Sequence, residues 1–263
     1  MSETFLDKIL AVKRNTVERQ KRSTSSAAIK ANAMARRSDG DDHRLRSALL
    51  RTDRNNIIAE IKRASPSKGV INSNIDIVDV ARKYSDGGAA AISVLTEEDF
   101  FKGSLADLMA VRKAVELPIL RKDFVVDEFQ IYESASAGAD VVLLIVAALD
   151  DESLNRFLLI ARDELGMDVI VEVHNADELF RAVSIGADII GVNNRDLRTF
   201  EVSLDVSRRL IVERSGAELF ISESGITERE QIEELRSLGF NGMLIGETLM
   251  RSGNARECLG EWI

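Results

Sequence analysis

The 263-residue chain contains one cysteine, Cys258, and two histidines, His43 and His174. A lone thiol excludes any intrachain disulfide and any Cys-based metal site. The two histidines lack the spacing of a metal pair, so His174 reads as a loop residue and His43 as an exposed one, neither with a function. Cys258 reads as a core or interface residue. Basic residues are also in deficit: 35 Lys and Arg stand against 44 Asp and Glu, a net charge of -9. That balance argues against a general nucleic-acid or membrane binder, because phosphate backbones and anionic lipids select basic surfaces. A small anionic ligand stays compatible, since it needs only a local site. Long apolar runs are missing too, and nothing reaches the length needed to span a bilayer. The opening "MSETFLDKILAVKRNTVERQKR" interleaves charges with apolar residues at helical spacing, unlike a signal peptide. A reducing cytoplasm is the expected setting.

What is present is an alternation. Of the residues, 45% are apolar, and strand-length apolar runs recur eight times: "IIAEI", "AAISVL", "PIL", "VVLLIV", "VIVEV", "IIGVN", "LFIS" and "GMLIG". Between them lie longer segments with a 3.6-residue period, such as "IDIVDVARKYSDGG" and "TEREQIEELRSLG", which read as helices. A weak repeat, "DGGAAAISVL", "SAGADVVLLI", "SIGADIIGV" and "SLGFNGMLIG", ends each helix on Gly and drops the chain into the next strand. Strands that are apolar on both faces and joined by helices imply a covered parallel sheet. Eight units fit a closed (β/α)8 TIM barrel. A doubly wound open sheet would carry a glycine-rich phosphate turn after its first strand, and none is present. The expectation is therefore one barrel domain over residues 1–263, with 1–55 as an N-terminal helical extension. That extension holds an amphipathic helix, a stretch "STSSAAIKANAMARRSDGDD" with little pattern, and a short "RLRSALLR" helix. It is either a lid over one barrel end or a plug or packing element, and its Lys and Arg excess reads as a solvated face.

Active sites of this fold lie at the C-terminal ends of the strands, where ionisable and amide residues gather: Glu60 and Lys62, Lys122 and Asp123, Glu172, Asn193, Asn194 and Arg195, then Glu223 and Ser224. Side chains alternate along a strand, so Glu60 and Lys62 share the interior face while Ile61 turns to the helices. Any one pair could be a structural ion pair. Five strands ending alike point instead to an acid–base set, because buried charges are costly unless used or paired. "SESGIT" and "IGETLMRSG" follow the last two strands, where Ser or Gly opening a helical turn favours an anion, and this pair of loops is the usual phosphate cradle. Ser65 and Ser67 in the first loop add donors.

The stretches "IIAEIKRASPSKGVI", "AISVLTEEDFFKGS", "PILRKDFVVDEFQIYES", "VEVHNADEL", "GVNNRDLRTFEV", "ISESGI" and "LIGETLM" together resemble the indole-3-glycerol-phosphate synthase family, from the first helix to the last strand. The stretch from 23 to 45 follows the pattern less closely. The resemblance implies a (β/α)8 barrel with an N-terminal extension. It implies a carboxy-lyase of tryptophan biosynthesis that converts 1-(2-carboxyphenylamino)-1-deoxyribulose 5-phosphate to indole-3-glycerol phosphate, carbon dioxide and water, with neither metal nor organic cofactor. By motif position, Lys122 corresponds to the general acid at the ribulose carbonyl oxygen. Lys62 corresponds to the lysine near the anthranilate carboxylate, and Glu172 to the carboxylate that stabilises cationic charge and assists proton removal. Glu60, Asn193 and Glu223 match residues lining the site. Ser65, Ser224, Gly225, Gly246 and the backbone of Glu247 match substrate and phosphate contacts, and Arg195 matches an arginine near the substrate. A pathway-enzyme partner is not inferable from the sequence. The alternatives are another phosphate-binding barrel enzyme, such as an isomerase of a phosphoribosyl intermediate, which would use a Cys/Asp or Asp/Asp pair, and a non-catalytic ligand-binding barrel.

Overall fold

Alternation along each strand builds two apolar layers. In β1 (Ile57–Ile61), Ile58 joins the barrel interior while Ile57, Ala59 and Ile61 pack outward against helices. The same division runs through β4 (Val141–Ile145), with Val141, Leu143 and Ile145 inside and Val142 and Leu144 outside. The remaining barrel strands are β2 (Ala91–Leu95), β3 (Ile119–Lys122), β5 (Asp168–Val173), β6 (Ile189–Asn193), β7 (Leu219–Glu223) and β8 (Gly242–Ile245), and the short segments Ala64–Ser65 and Gly69–Val70 pair antiparallel outside the barrel. All eight are parallel and close in the order β1-β8-β7-β6-β5-β4-β3-β2. This architecture comes from a computed structural model that describes residues 4–38, 42–66, 69–71 and 75–263. Ser67, expected as a donor in the first loop, lies outside the described residues.

The glycine repeat closes the helices as expected. Gly88, Gly138, Gly186 and Gly239 have φ of 89°, 97°, 75° and 108°, the left-handed region that a side chain would disfavour. Side-chain caps start several of the helices: Asp76 accepts from the Val78 and Asp79 amides at the head of α4 (Ile77–Asp86), and Asn175 from the Glu178 amide at the head of α8 (Ala176–Ser184). Each satisfies backbone donors that the first helical turn leaves unpaired. Among the described residues, no helix is long and apolar enough to cross a membrane.

The extension serves both barrel ends. Helix α1 (Phe5–Ser23) brings Phe5, Leu6 and Ile9 to the cavity at the C-terminal mouth. Helix α3 (Arg44–Leu49) inserts Leu45 and Leu49, 0% and 1% exposed, into the interior apolar cluster at the opposite end. There Asp168, the first residue of β5, accepts from the Leu45 and Arg46 amides at 2.7 and 3.0 Å. Between them the stretch read as having little pattern is a helix, α2 (Ser26–Arg37), lying on α6 (Glu128–Ala137). Only Ala33 of α2 is buried, so no apolar stripe announces it; its helicity is carried by alanine, the residue that loses least on entering a helix. Lys30 ties it to Tyr132 and Glu164 at 3.0 and 2.7 Å. The helix at the cavity and the helices that pack on the barrel are therefore different parts of one N-terminal segment.

Candidate active site

The C-terminal mouth holds a cavity of about 910 Å3. Lys122 ends β3 and points into it, while alternation turns Arg121 outward and Asp123 reaches only the cavity's edge. Arg121 pairs with Glu133 of α6 at 2.8 Å, and Asp123 with Lys13 of α1 at 2.7 Å. The Lys122 ammonium lies 2.9 Å from Glu172 and 2.5 Å from Glu223. One cation thus bridges carboxylates from β5 and β7, across the barrel mouth. Burial disfavours this ammonium, but Glu172, Glu223 and Glu60 outweigh it and hold its pKa above the ordinary lysine range.

The two carboxylates are not equivalent. Burial opposes ionisation of Glu172, yet Lys122 and His174 prevail and keep it well below the usual carboxylate range. Asn193 also donates to Glu172 Oε1 at 3.1 Å. Among the described residues Glu223 has a single donor, Lys122, and its Oε1 is buried with no hydrogen-bond partner. Burial pushes Glu223 up, Lys122 pulls it back and Glu172 adds repulsion, leaving it at about 7. Two close carboxylates cannot both ionise cheaply, so the shared proton falls on the one with fewer donors.

Space for these groups comes from missing side chains. A Cβ on Gly191 of β6 would overlap Glu223 Oε1, and one on Gly246, just after β8, would overlap Glu60 Oε1. Glu60, 5% exposed, pairs with Lys62 at 2.6 Å, so the two share a face as alternation requires. Ser65 lines the same cavity beyond them. Arg195 lines it from the loop after β6, where its amide donates to Asn193 Oδ1 at 3.0 Å and its guanidinium to the Phe200 carbonyl at 3.2 Å. After β7, Ser224 and Gly225 both adopt left-handed backbone, φ 69° and 84°, turning the chain sharply at the cavity wall. Gly246 and Glu247 complete that wall at the start of α11 (Glu247–Arg251). Every residue singled out from the strand ends and loops, Ser67 and Asn194 aside, borders this one space.

Sequence reasoning missed several neighbours. His174 is half-buried between Glu172 and Glu178 rather than an idle loop residue; the Glu-x-His and His-x3-Glu spacings were its signal. His43 is half-buried, 3.3 Å from Asp168 at the other end of β5, so it too has a partner. Lys13 is 7% exposed rather than part of a solvated face. Asn194 donates to Ser222 Oγ and to the Glu223 and Ser224 carbonyls, and accepts from the Ser207 amide, fastening the β6 and β7 ends together. Phe5 meets Phe100 and Phe200 edge-on at 5.3 and 5.1 Å, joining α1 to the loops after β2 and β6.

Fold and site together define a (β/α)8 barrel with a lysine–glutamate cluster in its C-terminal mouth and a helix beside it. Similar folds include 3-hexulose-6-phosphate synthase from Salmonella typhimurium, with a TM-score of 0.60, 14% identity and coverage of 79% of this chain and 96% of that one. Thiamine phosphate pyrophosphorylase from Pyrococcus furiosus gives 0.59, 17%, 83% and 95%. At such identities the likeness shows the fold alone. Sequence likeness is far closer. The family model described as indole-3-glycerol phosphate synthase matches residues 6–261, and the chain belongs to that family. Relatives of that name are 48% identical in Lachnoclostridium phytofermentans, over 97% of this chain and 94% of theirs, and 46% in Carboxydothermus hydrogenoformans, over 97% and 99%.

Proposed function

We propose that this chain catalyses the reaction its family is named for: ring closure, decarboxylation and dehydration of 1-(2-carboxyphenylamino)-1-deoxyribulose 5-phosphate to indole-3-glycerol phosphate. The observation that carries the assignment of roles is the Lys122 ammonium held between Glu172 and Glu223 in the barrel mouth. The anilino ring carbon that bears the carboxylate attacks the ribulose carbonyl carbon, and Lys122 gives its proton to the carbonyl oxygen. A neutral amine then sits beside Glu223, which holds a proton near pH 7 and returns it to the lysine. Carbon dioxide departs, its bonding pair restoring the aromatic ring. The recharged Lys122 gives a proton to the new hydroxyl, which leaves as water, and Glu172, facing the cationic intermediate, takes a proton from the adjacent carbon to complete the pyrrole.

Lys62, fixed by Glu60, faces the anthranilate carboxylate in this reading. Asn193 orients Glu172, and Arg195 and Ser65 hold substrate. The phosphate lies among Ser224, Gly225, Gly246 and the backbone of Glu247, at the loops where barrels of this kind place it. Residues 1–55 act as an extension of the single barrel domain, and a cytoplasmic biosynthetic role follows from the family. No step requires a covalent bond to the protein. Mixing the purified chain with the carboxyphenylamino substrate should give a rise in indole fluorescence; a flat trace with folded protein refutes the assignment.

A further inference from the structure

Glu172 has a charged neighbour outside the reacting set. His174 follows β5, with its side chain 13% exposed, and lies between two carboxylates: Nε2 is 3.3 Å from Glu172 Oε1 and Nδ1 is 3.0 Å from Glu178 Oε2 on α8. The Glu178 carboxylate is itself held, accepting the His174 amide at 2.8 Å and the Asn175 side-chain amide at 2.7 Å. Nε2 is buried and, among the described residues, completes no well-aligned hydrogen bond; at 3.3 Å Glu172 Oε1 is the anion it faces, close enough to pair with a ring that carries a proton there. A neutral ring has one N–H and could satisfy one carboxylate only, whereas an imidazolium donates from both nitrogens. Both neighbours being acidic, the doubly protonated form fits the site.

We infer that His174 is a positioning residue: as an imidazolium clamped by Glu178, it fixes the orientation of the Glu172 carboxylate and keeps it anionic. The inference rests on the reading of Glu172 as the group that takes the proton. The charged groups facing the ring are Glu172 of β5 and Glu178 of α8, and Lys122 of β3 engages the other oxygen of Glu172. Burial works against the charged ring, but the two carboxylates overcome it and raise His174 to about 10. The clamp also explains why the proton shared in the mouth settles on Glu223: among the described residues Glu172 has a cation on either side, and Glu223 has only Lys122.

Two histidines in the chain make the test direct. In 15N-detected spectra of the intact protein, with His43→Gln used for assignment, the His174 ring should stay doubly protonated at pH 8. Glu172→Gln should then lower its titration midpoint. A neutral His174 ring at pH 8, or a midpoint unmoved by Glu172→Gln, overturns the inference, and neither measurement needs turnover. In the activity arm, His174→Gln should lower kcat on the order of tenfold to a hundredfold, as expected for a misplaced reacting group. KM should change little, and the loss should be greatest on the acid side, where Glu172 no longer has this cation to hold it ionised. A purely structural histidine would lower Tm and leave kcat intact well below Tm, and that result also overturns the inference. Wild-type protein that shows the protonated ring but forms no indole would instead refute the proposed function and leave the His174–Glu172 pairing standing.

Discussion

The two ends of the barrel are built by the same extension on opposite principles. At the N-terminal end, α3 drives Leu45 and Leu49 into the interior, and Asp168 satisfies two of its amides. At the C-terminal end, α1 spans a cavity in which a lysine is shared by unequal carboxylates and a glutamate oxygen has no partner. One end has its interior filled by apolar side chains, which stabilises the fold. The other keeps charge in low dielectric with bonds unmade, which a substrate can complete. The two ends are thus separated along the barrel axis by the four to six residues of each strand.

The largest effect that tests this division is at Lys122. Lys122→Met should lower kcat by about 10²–10⁴-fold, the range for a positioned proton donor. It will lower Tm as well, because it leaves Glu172 and Glu223 facing each other without their cation. Stability therefore does not discriminate here, and Lys122→Arg does: a guanidinium restores charge but donates poorly, so a nearly active arginine variant would make Lys122 a counterion only. At the filled end, Leu45→Ala should cost about 2–5 kcal/mol of stability in denaturant titration, with KM and kcat intact at temperatures where the variant is folded. A kinetic defect there would mean the ends are coupled.

A smaller effect is expected at Gly246, where the geometry assigns more than phosphate contact. Gly246→Ala places a methyl against Glu60 and displaces it from Lys62, so kcat/KM should fall on the order of tenfold to a hundredfold, with kcat sharing the loss. A change confined to KM would restrict Gly246 to the phosphate. Smallest is the lid. Phe5→Ala removes two edge-on ring contacts, each worth about 0.5–1.5 kcal/mol, and should raise KM with kcat held. Unchanged KM would make α1 a packing helix like α2.

Most of the barrel was legible because its signals are local. Strands apolar on both faces, helices ending on left-handed glycines and charges massed at one strand end can each be read within a dozen residues. The pair Glu60 and Lys62 followed from alternation alone. What escaped depends on partners distant in the chain. Lys13 lies on an amphipathic helix and looks solvated until Asp123 is known to face it. His174 was dismissed for want of a second histidine, though its neighbours in sequence were carboxylates. Helix α2 has no stripe because it buries one alanine, and periodicity cannot report a helix that scarcely enters the core.

Gly191 and Glu223 carry a consequence for how such a mouth can change over generations. The glutamate occupies the volume that a methyl at 191 would fill, so the two positions behave as one hereditary unit. A lineage that gained alanine at 191 first would lose the carboxylate's seat before any replacement existed. Shortening residue 223 first would open a hole and forfeit the proton it holds. Either order passes through an impaired intermediate, and departure from this arrangement therefore requires both changes together, which ties the barrel to its chemistry more firmly than charge alone would.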